Sequence, residues 1–108
     1  MFIMVRPIKH RFVESKPVVI HFKPNAVPLS ELEENNLTFD ELEAFKLKFL
    51  DKFEQESAAK KMRISRTTFW RILNSAGEKI ADALINEKAI RIEGGAYEII
   101  GGEVVNGK

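Results

Sequence analysis

A chain of 108 residues with no cysteine, 44% hydrophobic and 31% charged, has the length of one compact domain, and it excludes disulfides, cysteine-ligated zinc and thiol catalysis. Its net charge of +1 asks for no polyanion, but the distribution does: residues 60–74 carry Lys60, Lys61, Arg63, Arg66 and Arg71 and no acid, although the chain holds 16 acids. The apolar opening, residues 1–5, is broken by Arg6 and Pro7, which leaves neither a signal peptide nor a span of about 20 apolar residues, so the expected setting is cytoplasmic and away from membranes.

In chain order, residues 1–28 contain all four prolines, Pro7, Pro17, Pro24 and Pro28, and predict an extended segment. The segment is basic, with Arg6, Lys9, Arg11, Lys16 and Lys23 against Glu14. Val18, Ile20 and Phe22 alternate with Val19, His21 and Lys23, which predicts one half-buried strand. Ser30 and Glu33 mark a short helical turn. Thr38 and Glu41 have the spacing of a capping box, and Leu37 with Leu42 that of a hydrophobic staple, so a helix starts here. Leu42, Phe45, Phe49 and Leu50, widened by Leu47 and Phe53, supply its inward stripe. The carboxylates of Asp40, Glu41 and Glu43 suit the helix start and a solvated face, and they put this acidic helix either away from DNA or facing a basic partner.

Residues 55–73 carry the most information. Ala59 is the small residue that two crossing helices need, and Ala58, Met62, Ile64, Phe69 and Ile72 are the apolar side of both. Ser65 stands where the second helix needs an N-cap. Arg63 occupies the turn, where φ > 0 is usual, at a cost of roughly 1 kcal/mol for a side chain that is not glycine. Gln55, Arg66, Thr67, Trp70, Arg71 and Asn74 remain outward, a polar and basic surface of the kind a recognition helix presents to a groove. The plain alternative is an amphipathic helical hairpin that serves only for packing.

The following helix continues through Leu73, Ala76, Ile80, Ala83 and Leu84 as inward positions, with Gly77 a point for a kink and Asn86 its end. Residues 89–101 then read as a β-hairpin, Ile90 and Ile92 before Gly94-Gly95 and Tyr97, Ile99 and Ile100 after, which is expected to pair with the Val18 to Phe22 strand, to pack on the helices or to join a partner chain. Residues 102–108 read as a frayed tail. The expected architecture is a mainly α helix-turn-helix bundle over residues 29–88, with a small β element from an N-terminal strand and the C-terminal hairpin.

Several stretches together resemble a prokaryotic family known as uncharacterised protein family 0251, or domain of unknown function 134. They are Arg6-Pro7, F-K-P-N-A-V-P-L-S-E-L-E at 22–33, L-T-F-D-E-L-E-A-F at 37–45, S-R-T-T-F-W-R-I-L-N-S-A at 65–76, K-I-A-D-A-L at 79–84 and K-A-I-R-I-E-G-G at 88–95. The resemblance covers residues 6–97 and implies a predicted DNA-binding protein whose helix-turn-helix looks like region four of bacterial sigma factors. Carried onto this chain, it implies contacts from Ser65, Arg66, Thr67, Trp70, Arg71 and Asn74. Three positions depart from the family pattern: Lys52 where Gly is common, Glu54 where a Ser cap is common, and Arg63 at the turn.

Roles follow from position. Arg66 in the first recognition turn fits a bidentate guanine contact or, equally, a phosphate. Thr67 suits a base edge or thymine methyl, Arg71 and Asn74 phosphates or flanking bases, and Gln55 and Lys61 backbone positioning. Trp70 has three outlets of comparable weight: DNA, a neighbouring helix or a dimer. Arg6, Lys9 and Arg11 form either a DNA-binding arm or a merely solubilising basic end. His10 and His21 are eleven residues apart in a Pro-rich stretch of a chain with no Cys to complete a metal site, and no nucleophile and base stand together, so neither cofactor nor enzyme activity is expected. The expected partner is double-stranded DNA. A homodimer through the hairpin edge, or RNA polymerase or another protein partner docking on the same fold, is the alternative class.

Overall fold

The computed structural model describes residues 10–14, 20–95, 97–99 and 104–105. Along the chain run β1 (Arg11–Val13), β2 (His21–Phe22), a 3-10 turn (Leu29–Glu31), β3 (Glu34–Leu37) and α1 (Phe39–Phe45). A π-helical turn (Lys46–Leu50), α2 (Gln55–Lys61), α3 (Arg66–Asn86), β4 (Ala89–Ile92), β5 (Tyr97–Ile99) and β6 (Val104–Val105) follow. The molecule is mainly α with a small β element, as its sequence predicts. Among the described residues no helix is long and apolar enough to cross a membrane.

The expected capping box starts α1: the Glu41 N–H donates to Thr38 Oγ1 at 3.4 Å and the Thr38 N–H donates to Glu41 Oε1 at 2.9 Å. Two apolar clusters hold the layers together. Ala44, Leu47, Ala58, Ala59, Met62, Phe69 and Ile72 fasten α1, α2 and α3 to one another. Val13, Leu37, Phe39, Ala76 and Ile92 fasten the strands to α1 and α3. Gly77 produces no break, because α3 is one helix that ends at Asn86, closed by Glu87 in the left-handed conformation at φ 58°.

The β element differs from the expected hairpin. β4 does not pair with β5; it lies between β2, antiparallel, and β3, parallel. β5 belongs to a second sheet, parallel to β1 and antiparallel to β6, so the C-terminal hairpin is β5–β6, and Val104–Val105 fall in the stretch expected to fray. Gly94 and Gly95, at φ 78° and 103°, carry the chain from one sheet to the other rather than turning it back. The Gly94 carbonyl accepts from the Phe39 N–H at 2.9 Å, which fixes that crossing to the start of α1.

Three further expectations are overturned. Phe49 and Leu50 are not inward: they are 52% and 73% exposed. The bond from the Asp51 N–H to the Lys46 carbonyl, at 2.9 Å, closes a wider i→i+5 turn, which rotates these side chains out of the stripe that 3.6 residues per turn would give. Leu84 is likewise 72% exposed, and its neighbour Ala83 fills the buried position. The acids of α1 are not solvated either, since Asp40, Glu41 and Glu43 are all buried.

Candidate nucleic-acid interface

α2 and α3 meet through small residues. Ala58 and Ala59 are buried against Phe69 and Ile72, and without side chains beyond Cβ they let the two helices approach. Ser65 caps α3 as expected: its Oγ accepts from the Thr68 N–H at 3.0 Å and donates to Thr68 Oγ1 at 2.9 Å. Between the helices Arg63 takes φ 58°, the left-handed conformation that the turn requires. β1 braces that turn from outside. The Phe12 N–H donates to the Met62 carbonyl at 3.1 Å, and the Arg63 guanidinium lies 3.9 Å from the centre of the Phe12 ring.

This scaffold brings Gln55, Arg66, Thr67 and Trp70 together around a shallow hollow of about 320 Å3. Trp70 is 55% exposed, so of its three outlets the neighbouring helix accounts for only part of its surface. Arg66 and Arg71 have no ion-pair partner among the described residues. Asn74 spends a donor inside the helix, from Nδ2 to the Trp70 carbonyl at 3.0 Å. Arg71 faces a different flank, a cleft shared with Arg11, Thr38, Asp40, Glu41 and Ser75. Lys61 sits 3.9 Å from Glu14 and 5.1 Å over the Phe53 ring, so part of its charge is answered within the chain. Arg11 is held in β1, 3.8 Å from Asp40, with its side chain 12% exposed, and stands apart from the Arg66 surface. Arg6 and Lys9 lie outside the described residues.

The sequence reading left two participants unassigned. Lys60, exposed at the end of α2, adds an accessible cation to the basic stretch. Phe12, the brace of the turn, stands in a stretch that reads only as basic and extended, with no local signal of its role.

The acids behind α3 are neutralised rather than projected. Burial alone pushes the Glu41 carboxyl up, but bonds from Lys79 Nζ at 2.7 and 3.0 Å, from Ser75 Oγ at 2.6 Å and from the Thr38 N–H overcome it and hold the group below its ordinary range. Glu43 goes the other way: burial raises its pKa against the pull of Lys46.

A family described as "Protein of unknown function DUF134" has a model that matches residues 1–100. The chain belongs to that family. A "UPF0251 protein Teth39_0655" from Thermoanaerobacter pseudethanolicus is 57% identical over 96 residues, 89% of this chain and 81% of the relative. "UPF0251 protein TTE1845" from Caldanaerobacter subterraneus is 57% identical over 98 residues, 91% and 83% of the two chains. A UPF0251 protein from Moorella thermoacetica is 56% identical over 101 residues, 94% and 68% of the two chains. No solved structure matches. At the three positions where the resemblance implies a different residue in this DUF134 chain, the backbone keeps the conformation that the implied residue favours. Lys52 is at φ 64° and Arg63 at φ 58°, both left-handed, and Glu54 is the N-cap of α2 with no side-chain cap bond.

Proposed function

We propose that this protein binds double-stranded DNA through its helix-turn-helix, with the N-terminal turns of α3 in the major groove, and acts in the cytoplasm as a transcriptional regulator. The observation that carries this reading is the convergence of Gln55, Arg66, Thr67 and Trp70 on one accessible surface, with the Arg66 guanidinium unpaired among the described residues. An unpaired arginine at the start of a capped helix is free to spend its donors on guanine O6 and N7 or on phosphate. Lys60 adds positive charge at the end of α2 and Arg71 on the neighbouring flank of α3, and the buried Glu41 and Glu43 of α1 are screened by Lys79 and Lys46. The reading calls for no cofactor.

A second reading, a protein-interaction module that docks on another protein such as RNA polymerase, is favoured by one feature. Leu42, Phe45, Phe49 and Leu50 line an apolar groove of about 450 Å3 along α1 and the π-helical turn. Salt separates the two, because phosphate neutralisation loses affinity steeply with salt while apolar docking does not.

The test is a titration of the protein with mixed-sequence duplex DNA at low and moderate salt, followed by the fluorescence of its single tryptophan, Trp70. A salt-sensitive change that disappears in an Arg66→Ala, Arg71→Ala double variant supports the DNA reading. No binding at low salt overturns it in favour of the protein partner.

A further inference from the structure

The C-terminal end of α3 carries a second exposed apolar surface, about 30 Å along a 21-residue helix from the Ser65 cap. Phe22, Pro24, Ala83 and Leu84 line a groove there, and Lys23, Glu87 and Lys88 form its rim. Ile20 stands two residues before Phe22, on the same side of an extended chain. Phe22, Leu84 and Ile20 are 57%, 72% and 46% exposed, large apolar side chains left open to solvent.

We infer that this surface is the interface of a two-fold homodimer, in which the α3 C-terminus and β2 of one copy pack on the same elements of a second copy. Charge complementarity selects a second copy as the occupant. Glu87 has no hydrogen-bond or ion-pair partner among the described residues, and the Lys23 ammonium meets only the Pro24 and Val27 carbonyls, at 3.2 and 2.7 Å. A face with one unanswered acid and one unanswered base around an apolar centre is complementary to itself under a two-fold axis, where each Glu87 meets the Lys23 of the other copy. Lys88, by contrast, is already engaged by Asp82 and Glu33.

Of the strands that the sequence puts in the hairpin, β5 is paired on both sides, by β1 and β6, and β4 by β2 and β3, so neither offers a free edge, and the hairpin's outer edge is that of β6. β2 is the strand left with an open edge beside the patch. A two-fold axis here leaves both Arg66 ends uncovered. The inference does not depend on DNA binding, and its test uses none.

The experiment is sedimentation equilibrium of the full chain without DNA, from about 1 to 300 μM, a span that covers weak interfaces. A monomer–dimer equilibrium is expected, weakened at least about tenfold by Leu84→Glu and by Glu87→Lys, and restored when Glu87→Lys is combined with Lys23→Glu. Phe49→Ser, on the other apolar groove, leaves it unchanged. A monomer at every concentration overturns the inference. So does a dimer indifferent to both Leu84→Glu and Glu87→Lys, or one that Phe49→Ser dissociates. The charge-swapped pair keeps the test decisive if Leu84→Glu fails to fold, which circular dichroism of α3 reveals.

Discussion

The guanidinium of Arg63 stacks on the ring of Phe12, 3.9 Å from its centre, so the first strand holds down the turn of the helix-turn-helix. A turn residue in a left-handed conformation is under strain of roughly 1–2 kcal/mol, and a bracing contact from a sequence-distant element offsets part of it. The pair is therefore coupled. Double-mutant analysis with Phe12→Ala and Arg63→Ala is expected to give an interaction of about 0.5–1 kcal/mol in denaturant unfolding. Additive effects would remove Phe12 from any role at the turn.

Lys52 and Glu54 lie in the connection into α2, and each leaves stability unrealised. Lys52→Gly relieves a left-handed backbone at φ 64° and is expected to raise stability by about 0.5–1 kcal/mol, the strain relieved less the entropy that glycine adds to the unfolded chain. Glu54→Ser supplies the missing N-cap bond of α2 and is expected to add about 1 kcal/mol. Thermal unfolding of the two variants and their combination checks both values.

The buried acids of α1 give opposite pH dependences. Glu41 is lowered from its ordinary value of 4.5, because its bonds to Lys79, Ser75 and Thr38 outweigh burial. Its folded pKa lies below the unfolded one, so its contribution is complete above about pH 4.5 and is lost as pH falls through the folded value. Glu43 is raised by burial, so its ionisation costs stability as pH rises through its folded value. Denaturant midpoints measured from about pH 3 to 7 are expected to show Glu41→Gln flattening the acid limb, and Glu43→Gln gaining on the wild type toward neutral pH.

Two glycines separate close approach from simple tolerance. A Cβ on Gly95 would lie 2.4 Å from Asp40 Oδ1 and 2.8 Å from Thr38 Cβ, on a backbone at φ 103°. Gly95→Ala is expected to cost at least about 2 kcal/mol. Gly77 lies within α3 with nothing within 4 Å of its notional Cβ, so Gly77→Ala is expected to stabilise by about 1 kcal/mol. Equal effects in parallel unfolding curves would refute the contrast.

On the DNA-binding proposal, Arg66 is the base reader. Arg66→Ala is expected to relax preference at one base pair, a loss of about 1–3 kcal/mol in a binding-site selection, whereas Lys60→Ala weakens all sequences alike. Unchanged specificity in the first variant would leave Arg66 a phosphate contact.

What was legible in the sequence was local. Thr38 with Glu41, Ser65 as the cap of α3, Ala59 at the crossing and Arg63 at the turn are read from spacing alone, because each depends on neighbours within a few residues. What was not legible depends on distant partners. Residues 34–37, E-N-N-L, show no alternation, yet they form β3 because β4 offers a parallel ladder and the Asn35 amide reaches the Lys79 carbonyl and Asp82 Oδ2, both at 2.9 Å. The outward rotation of Phe49 and Leu50 turns on one i→i+5 bond that a 3.6-residue pattern does not anticipate. At the candidate interface, the grouping of Gln55 with Arg66, Thr67 and Trp70 was legible. The withdrawal of Arg11 into contact with Asp40 was not, since it requires β1 to be placed first.

The parallel pairing of β3 with β4 joins the residues just before α1 to those just after α3, from Glu34↔Ala89 to Leu37↔Ile92. In topological terms it turns the helical span into a closed ring clasped by a ladder. Shutting a ring of about fifty residues must be met by a large loss of chain entropy before the ladder returns anything, which makes this clasp a late event in folding. Once shut, it denies the three helices a loose end from which to unravel, and the helix-turn-helix opens only when the sheet does.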